Sequence, residues 1–501
     1  MTRFPALGQL GFVLPAERAV RAQAYEAGGT TGSRGRAWRT SGAGPNASVT
    51  QNLATVRTRA RGAVRNDPWA KKAVAGLVAN TIGTGIVPHP QHPDRKVRRA
   101  LKELWSDWVP EADADGLLDF YGLQTLAARA LFTDGEVLNR TRPRRPERGL
   151  SVPLQVQLFE ADHLPASMNQ LLPNGGEIAS GVEFNRDGDR VAYHLHRRHP
   201  GEAQRGATQA GTMRVPAAEI QHVFEPLRPG QVRGSSALAT VLLRLHTLDS
   251  FDDAVLVRQE VANLFAGFIT RPAPPNVRLD PLTGQPVELD GDGTPLTSME
   301  PGSLQELLPG EQVQFAEPPG AGTDYGLFMR QQLMAAAASV GLPYEVLTGD
   351  LRDVSDRALR VILGEFRRQL EQLQWNVFIH QYCRPVWAAW TDAVALSGAL
   401  PMPEYYRDRR LYLRVRWVPQ GWPYINPVQD VQAQRIGIRA GLVSRSAAIL
   451  AQGEDPESVD AEHAADNERA DRLGLVFDSD ARRRDISGDV TDNKEQTNDE
   501  S

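Results

Sequence analysis

The chain has 501 residues, 41% hydrophobic and 23% charged, which is enough to bury a core and too long for one ordinary domain. Its 56 basic and 61 acidic residues leave a net charge of -5, which argues against a protein that binds nucleic acid by charge alone. Its one cysteine, Cys383, excludes an internal disulfide framework and a cysteine zinc cluster. No apolar run approaches the roughly 18 residues that span a bilayer, so we expect no membrane segment.

The two ends of the chain carry opposite charge. Residues 1–109 hold 17 Lys and Arg against 6 Asp and Glu, whereas residues 451–501 hold 6 against 16. This asymmetry predicts different partners at the two ends, and the alternative is a solvated surface at each end.

The first elements are an arm and three helices. Residues 1–50 are rich in Gly, Ser, Thr and Arg without a sustained period, and predict a flexible or strap-like arm. Apolar residues then recur near the helical period on both sides of Asp67 and Pro68. Asp67 can cap a helix and Pro68 suits its first position, so this pair predicts the start of a second helix, which Gly83 ends. A third helix is predicted over 95–108.

Residues 125–225 predict mixed helix and sheet. Apolar and polar residues alternate over 152–158 and 220–224, which indicates strands. Two further alternating segments flank the turn residues 186–189 and predict a hairpin.

The clearest secondary-structure signal is a long helix over 236–269. Apolar residues return to one side, and no Gly or Pro interrupts the pattern before Gly267. Such a helix would be a rod of about 48 Å, a length typical of a bundle, a coiled coil or the wall of a ring. Its exposed positions include the acidic residues Asp249, Asp252, Asp253 and Glu260.

The rest of the chain predicts a small β-rich insertion followed by more helices. Ten prolines fall within 270–322 and break any helix there. Helices are predicted over 324–340 and 355–397, the second with a kink at Pro385. A strand at 411–418, three helices and a disordered acidic end from Asp478 follow.

No motif supports catalysis, a cofactor or a metal. The chain has no phosphate-binding Gly-Lys-Ser/Thr loop, no Gly-x-Ser-x-Gly and no His-Glu-x-x-His. His194, His196 and His199 lie in or near the predicted hairpin, and no carboxylate or cysteine follows at a metal-binding spacing, so an exposed hairpin is the interpretation. The glycines of 290–294 do not match a calcium loop, and Cys383 and most tryptophans are expected in the core.

Five stretches of the chain, taken in order, carry a resemblance to a known family. They are 59–86 (RARGAVRNDPWAKKAVAGLVANTIGTGI), 221–236 (QHVFEPLRPGQVRGSS), 341–368 (GLPYEVLTGDLRDVSDRALRVILGEFRR), 384–390 (RPVWAAW) and 421–427 with the helix junction at 441–445. Over roughly residues 20–475 the chain resembles the lambda-type family of tailed-phage portal proteins. One departure is the run 355–358 (SDRA), where the family usually carries an Asn-aromatic-Ser-Ser-like run.

The resemblance implies an α+β, mainly α fold: a helical and mixed wing, a long-helix stem, a small β-rich clip and a C-terminal helical crown. The implied divisions are an arm (1–50), a wing (51–235), a descending stem helix (236–269), a clip (270–322), a returning stem helix (323–341), a tunnel loop (342–355), a kinked wing-crossing helix (356–400), a wing strand with crown helices (401–477) and a disordered acidic tail (478–501).

The resemblance also implies a head–tail connector and not an enzyme. Portals of the family form rings, normally of twelve subunits, at one capsid vertex of the virion, and double-stranded DNA passes through them during packaging and ejection. The implied partners are further copies of the chain, double-stranded DNA, the terminase large subunit as the ATP-hydrolysing motor, the major capsid protein and head–tail adaptor proteins. Assembly is expected in the cytoplasm of the bacterial host, with the basic arm on a neighbouring subunit or the capsid and the acidic end at the crown.

Two alternatives belong to other classes. One is a structural ring that does not handle DNA, such as a tail adaptor or a baseplate component. The other is an unrecognised nucleic-acid enzyme, which no motif in the chain supports.

The resemblance places two sets of residues beside the DNA. The tunnel-loop candidates are Thr348, Asp350, Arg352, Asp353 and Arg357, in which the arginines contact phosphates and the acids, with Asp356, limit the attraction. The stem candidates are the four exposed acids of the long helix, which would repel phosphates and let DNA slide. The alternative for these acids is pairing with a neighbouring subunit, or with Arg244 or Arg258.

Overall fold

A computed structural model of the chain describes residues 41–202, 211–264, 268–270, 282–285, 312–314, 324–352, 354–422, 426–477 and 482. Over this part the fold is α+β and mainly helical, with four antiparallel sheets. Most of the predicted arm, clip and acidic tail, with Trp38 and the turn at 290–294, lies outside the described residues. None of the described helices is both long enough and apolar enough to cross a bilayer.

The N-terminal region, residues 41–236, begins with five helices, of which the second, third and fourth match the three predicted ones, while the first lies within the predicted arm. They are α1 (Pro45–Thr50), α2 (Leu53–Asn66), α3 (Pro68–Thr81), α4 (Arg95–Trp108) and α5 (Phe120–Asp134). The Asp67 carboxylate accepts the backbone N–H groups of Trp69 and Ala70, so the predicted cap before Pro68 is confirmed. Gly83 has a φ of +61°, as expected of a residue that ends a helix.

Three sheets complete or border this region. Strand β1 (Val87–Pro90) pairs with the distant β12 (Val415–Val418), and β2 (Glu136–Pro143) lies between β3 (Leu154–Phe159) and β9 (Ile220–Phe224). The five-stranded sheet is β4 (Gln170–Leu171), β5 (Glu177–Ala179), β6 (Val182–Phe184), β7 (Arg190–His196) and β8 (Thr212–Pro216), in that order. The predicted hairpin is the β6–β7 pair. His194 is not exposed there, because it is half-buried and its Nε2 lies 2.8 Å from a Glu183 carboxylate oxygen.

The remaining elements are mostly helices. They are α6 (Leu242–Leu264), the paired strands β10 (Phe268–Thr270) and β11 (Gln312–Gln314), α7 (Tyr325–Val340), α8 (Tyr344–Thr348), α9 (Asp356–Leu373), a π-helical segment (Gln374–Cys383), α10 (Arg384–Ser397), α11 (Arg409–Leu413), α12 (Pro427–Arg439), α13 (Arg445–Ala451) and α14 (Pro456–Leu473).

Helix α6 is shorter than its predicted span of 236–269. It begins at Leu242, because the chain before it forms turns in which Ala237 donates its N–H to the carbonyl of Phe132 at 3.1 Å. It ends at Leu264, and a short strand lies beyond it where the period predicted more helix. Its 23 residues give a rod of about 35 Å instead of 48 Å.

Two other predictions are corrected in detail. The strand predicted over 411–418 is a strand only in its second half, since α11 occupies the first half. Near Pro385, where a kink is predicted, the structure has a π-helical segment that ends just before the proline. Because Pro385 has no N–H to donate to the preceding turn, a widened turn before it is a physically reasonable place for the irregularity.

The main core joins the N-terminal region to α10 through tryptophans. The rings of Trp105 and Trp108 lie 4.9 Å apart, and Trp387 and Trp390 form a second pair at 4.9 Å. Trp105 connects the pairs, with its ring 5.0 Å from that of Trp387. All four are buried, and so is Cys383, which confirms the core assignment of these residues.

Candidate functional site

One buried carboxylate ties the start of α6 to the N-terminal region. Glu136, at the beginning of β2, is fully buried. It accepts hydrogen bonds from Arg233 Nε at 2.9 Å, from Arg57 Nη2 at 2.9 Å and from the backbone N–H of Gly234 at 2.9 Å. His222 Nε2 lies 3.0 Å from its second oxygen. Segments from α2, β2, β9 and the turn before α6 therefore meet at a single side chain.

The electrostatics of this cluster favour one ionised carboxylate between two guanidinium groups. Burial by itself raises the pKa of Glu136, but the charge of Arg233 and the contact with His222 hold it well below its ordinary value. Burial lowers the pKa of His222 in spite of the nearby carboxylate, so its ring is neutral at pH 7. The second positive charge, on Arg57, is shared with Asp162 at 3.2 Å.

A second cluster borders the first and resembles a cation site. Ligand atoms of Glu160, Asp162 and His199 lie within 4.8 Å of one another, a proximity that spacing in the sequence did not reveal. The guanidinium of Arg61, however, lies 2.6 Å from Asp162 and 3.2 Å from Glu160, and it also binds the Asp134 carboxylate. The positive charge in this cluster is therefore supplied by Arg61, and the cluster acts as an ion-pair network between α2 and the sheets.

Helices α6 and α7 form a pair held by two polar contacts, Arg244 Nη1 to Gln332 Oε1 at 2.8 Å and Tyr325 OH to Asp252 Oδ1 at 2.7 Å. Thr240, in the turn before α6, adds a contact with Ser339 at 2.6 Å. The ring of Phe251 packs 5.1 Å from that of Phe328. This pairing sets the rotation of α6, which the sequence alone left open.

The four acidic candidates on α6 separate into two groups. Asp252 is half-buried and faces α7, where the hydrogen bond that it accepts raises the pKa of Tyr325. Asp249, Asp253 and Glu260 are exposed and share one side of the helix, since they are spaced at i, i+4 and i+11. This side points away from α7, and Arg244 is engaged with α7 instead of with these acids.

The predicted tunnel loop contains a short helix and a compact turn. Thr348, at the end of α8, donates to the carbonyl of Tyr344 at 2.8 Å and accepts the N–H of Asp350 at 3.1 Å. The Asp350 carboxylate accepts from Arg352 Nε and Nη2 at 2.8 and 2.9 Å, and from the Tyr344 hydroxyl at 3.1 Å. Asp350 thus holds the side chains of the loop together, whereas Thr348 forms hydrogen bonds only with backbone groups.

Arg352 is exposed to solvent, and its guanidinium is held in one orientation by Asp350. Its side chain is 82% exposed, although it forms a bidentate pair with Asp350. The side chain and the backbone N–H of Arg352 hold the pKa of Asp350 well below its ordinary value. The pair is therefore ionised at neutral pH, and the carboxylate lowers the net attraction of this arginine for an anion.

The end of the loop leads into α9 through a side-chain cap. Ser355 Oγ accepts the N–H of Ala358 at 3.3 Å, so Ser355 is the N-terminal cap of α9, which begins at Asp356. Asp356 and Arg357 are exposed in the first turn. Asp353 lies outside the described residues. Among the described candidates, the fold brings Thr348, Asp350 and Arg352 into one hydrogen-bonded group and leaves Arg357 on the adjacent turn.

A pocket of about 250 Å³, open to solvent on one side, lies between α5, the turn before α6, the end of α7 and α9. Its walls include Leu131 and Phe132 of α5, Gly341 at the end of α7, and Leu370 of α9.

Sequence reasoning missed the residues that anchor α6. Arg233 lies inside the stretch 221–236 that carried the resemblance, but no pattern indicated that it is buried on Glu136. The available signal was a single acidic residue at the start of a strand that is otherwise buried, and this signal names no partner. The partners lie 79 and 97 residues from Glu136 in the sequence, so only the folded chain identifies them.

Comparison with known proteins gives consistent matches. A family model described as "Phage portal protein, lambda family" matches residues 31–374. The chain is 28% identical to a probable portal protein of Halomonas phage phiHAP-1 over 432 residues, which cover 84% of this chain and 81% of the relative. It is 20% identical to portal protein B of Escherichia phage lambda, over 59% of each chain.

Among solved structures the chain is similar to one from the neck of a native GTA particle computed with C12 symmetry. The TM-score is 0.45, and the identity is 14% over 81% of this chain and 94% of that chain. The family match extends from before α1 to the end of α9.

Proposed function

Because the chain belongs to the lambda family of phage portal proteins, we propose that it forms a ring at one capsid vertex through which double-stranded DNA enters and leaves. The chain is a virion component and a structural portal protein of a tailed phage, and it is not an enzyme. The function is carried by one observation, the family match over 344 of the 501 residues. Twelve copies to a ring and assembly in the host cytoplasm are parts of the proposal.

The helix pair α6–α7 is the proposed stem, which forms the channel wall. In a single copy α6 exposes Leu243 and Val257, at 71% and 56%, and these apolar side chains need a partner such as the next subunit. Asp249, Asp253 and Glu260 share one exposed side of α6 with Leu256 and border Val257, and we assign this side to the DNA. Their negative charge keeps phosphates from binding, so DNA slides without releasing counterions to the wall.

The loop between α7 and α9 is the proposed tunnel loop. Arg352 gives it one exposed positive charge, and the pairing with Asp350 weakens that charge. Arg357, one turn further on, offers a second. This combination favours brief contact with phosphates over tight binding.

Partners outside the ring follow from the same proposal. The chain has no phosphate-binding motif, so a terminase large subunit must hydrolyse ATP to drive packaging. The major capsid protein would surround the ring, and head–tail adaptor proteins would bind it after packaging.

The first experiment is imaging of the purified chain by negative stain, alone and with the capsid protein. We expect rings with a central hole wide enough for duplex DNA. Failure to form any ring under both conditions would overturn the proposal.

The second experiment tests the assignment of the stem acids. The triple variant Asp249→Asn, Asp253→Asn and Glu260→Gln should assemble normally but slow DNA packaging several-fold, with a stronger dependence on salt. The matched control neutralises three exposed acids of the N-terminal region, Glu147→Gln, Asp187→Asn and Glu202→Gln, and should package at the parental rate. Equal rates in both triple variants would remove these acids from the channel.

The third experiment concerns the tunnel loop. Arg352→Ala should alter DNA packaging or retention and leave ring assembly intact, because the side chain is exposed and its partners lie in its own loop. Normal packaging and normal retention in this variant would exclude a role of Arg352 in contact with DNA.

A further inference from the structure

We propose that the acidic end of the chain binds an arginine-rich hairpin in the N-terminal region of the same chain. The hairpin, here called the arginine hairpin, is formed by the end of β2 and the loop to β3 and carries Arg142, Arg144, Arg145 and Arg148. The segment that binds it, here called the acidic terminus, is residues 485–501. The inference goes beyond the proposed function, because it concerns a contact within one chain and does not require a ring.

The arginine hairpin concentrates positive charge on a small surface. Its four arginines fall within seven residues, and Arg142 and Arg144 are half-buried while Arg145 and Arg148 are exposed. Burial and the neighbouring charges of Arg142 and Arg148 lower the pKa of Arg144, and the carboxylate of Asp115 opposes this only in part. Because like charges repel, an anionic partner stabilises such an arrangement.

Glutamine amides, and not carboxylates, orient two of these arginines. Arg142 Nη1 donates to Gln157 Oε1 at 2.8 Å, and Arg144 Nε donates to Gln155 Oε1 at 2.9 Å. Gln155 Nε2 donates to two backbone carbonyls of the segment 111–113, so its oxygen must face Arg144. A neutral acceptor holds a guanidinium in place without cancelling its charge, and the charge stays available to an anion.

The acids closest to the arginine hairpin are engaged with other groups. The Glu111 carboxylate accepts the N–H and the hydroxyl of Ser151, and the Asp115 carboxylate accepts the Gln157 amide at 3.0 Å. Glu147 is exposed and is the one acid within the seven residues. Over the part of the chain that the structure describes, no carboxylate forms an ion pair with any of the four arginines. The hairpin therefore keeps an excess of positive charge.

The loop that carries these arginines is ordered by its own backbone. The N–H of Arg144 donates to the carbonyl of Pro153 at 2.8 Å and closes the loop. Pro146 starts a short 3-10 turn, and Gly149 ends it in the left-handed conformation with a φ of +70°. A preordered surface loses little conformational entropy when it binds a partner.

The acidic terminus has the complementary composition. Six of its 17 residues are Asp or Glu, one is Lys, and two are large apolar residues. In the described helix α14, by contrast, Glu457, Asp460 and Asp466 each already form an ion pair with an arginine. Charge complementarity therefore favours the acidic terminus as the occupant of the arginine hairpin.

Helix α4 brings the start of α14 and the base of the hairpin into one neighbourhood. Lys102 binds Asp455 at the start of α14, and Trp108 Nε1 donates to the carbonyl of Leu154 in β3 at 2.8 Å. Lys102 and Trp108 are six residues apart, which is about 9 Å along the helix. The 24 residues after Phe477 can extend up to about 80 Å, about three times the length of α14. Attachment to the same chain also raises the local concentration of the acidic terminus above that of a free anion.

Zero-length cross-linking of the full-length chain tests the contact. Arg145→Lys with Arg148→Lys keeps the charge and supplies amines, which a carbodiimide joins to carboxylates that they touch. We expect linked peptides that connect the hairpin to residues 485–501, identified by mass spectrometry. The matched control, Arg59→Lys with Arg65→Lys, replaces exposed arginines of α2 and should give at least tenfold fewer links to this segment. In a mixture of isotope-labelled and unlabelled chains, both halves of a linked pair should carry the same label.

Three results of this experiment would overturn the inference. They are no link from the hairpin to the acidic terminus, an equal yield in the control, and linked pairs of mixed label, which would assign the contact to a second copy. None of them bears on ring formation, which is imaged separately, so the proposed function stands or falls independently.

Binding of a short fluorescent DNA duplex distinguishes the acidic terminus from nucleic acid as the occupant. The terminus is weakened in the full-length chain by Asp485→Asn, Asp489→Asn, Asp492→Asn and Glu495→Gln. This variant should bind the duplex about tenfold more tightly than the parental chain at low salt, because the arginines are uncovered. Adding Arg145→Gln and Arg148→Gln should remove the gain.

A second variant controls for the change in net charge. It neutralises four exposed acids away from the hairpin, Asp107→Asn, Glu177→Gln, Asp187→Asn and Glu202→Gln, and should bind the duplex as weakly as the parental chain. An equal gain in both variants would contradict the inference. Tight binding of the duplex by the parental chain that is lost in Arg145→Gln with Arg148→Gln would also overturn it, because the hairpin is then a nucleic-acid surface.

Discussion

The N-terminal region and the helix pair α6–α7 handle charge in opposite ways. In the first, Glu136 is buried between Arg57 and Arg233 and every partner belongs to the same chain. In the second, Asp249, Asp253 and Glu260 remain in water. The N-terminal region buries a carboxylate by neutralising it within the chain, whereas the helix pair leaves three charges of one sign exposed to solvent.

The largest expected effect concerns the buried carboxylate. Glu136→Gln leaves the buried guanidinium of Arg233 without an anion and Arg57 with Asp162 alone, and should destabilise the N-terminal region by about 3–5 kcal/mol. The measurement is the midpoint of thermal unfolding, followed by tryptophan fluorescence of the core. The matched control is Glu219→Gln, which removes a partly exposed pair with Arg140 and should cost at most about 1 kcal/mol. A similar loss of stability in both variants would show that burial of the Glu136 network does not add to its contribution to stability.

The next effect is a dependence on pH. His222 has a lowered pKa in the folded chain and its ordinary pKa of 6.5 when unfolded. The contribution of His222 to the free energy of unfolding is therefore fully present above pH 6.5. It is lost at lower pH, because His222 binds a proton in the unfolded chain and stays neutral in the folded chain. The slope is at most about 1.4 kcal/mol per pH unit from this group. Between pH 7.5 and 5, the melting temperature of His222→Gln should fall less with decreasing pH than that of the parental protein. An equal fall in both proteins would contradict this explanation.

A smaller effect is expected between the two long helices. Tyr325→Phe removes the hydrogen bond to Asp252 and should cost about 1 kcal/mol. It should speed hydrogen exchange in α6 and α7 and leave the N-terminal region unaffected. The control Tyr406→Phe alters an exposed tyrosine elsewhere and should change neither. Faster exchange throughout the chain would mean that the two regions are not independent.

The smallest effect belongs to the attachment of α14. Its first residues meet α4 through charges: Asp455 accepts from Lys102, and Glu457 from Arg98 at 2.9 Å. These groups are partly exposed, so Lys102→Met should cost about 0–1 kcal/mol and the cost should shrink in high salt. Protease sensitivity of α14 at two salt concentrations measures it. A loss that is independent of salt would indicate packing of the side chain and not its charge.

Helix caps and element types followed from local chemistry. Asp67 and Ser355 bond to backbone groups two or three residues away, so their roles are readable from neighbours in the sequence. The predicted exposure of His194 was wrong, because its ring contacts Glu183 on the adjacent strand and is half-buried.

The predicted boundaries of α6 were wrong because residues distant in the sequence contact the chain next to it. The apolar period continues from 236 to 269, yet the hydrogen bond from Ala237 to Phe132 holds the first residues out of the helix. Of the candidate site, the α8–α9 loop was identified from the resemblance, and the pairing of Arg352 with Asp350 came from the fold. Whether these residues meet DNA stays a prediction.

The mainly helical class and most helices could be inferred from the sequence, because periodicity, caps and turn residues act over a few positions along the chain. The family was inferred from the resemblance of five stretches of the sequence. The side of α6 that its acids occupy, the burial of Glu136 and the exposure of Leu475 and Phe477 beyond α14 emerged only from the tertiary structure. These features depend on which distant segments exclude water from one another, and no local pattern encodes that choice. The net charge of -5 shows how little a total says about the location of charges. It sums over buried ion pairs, the exposed acids of α6 and two oppositely charged ends of the chain.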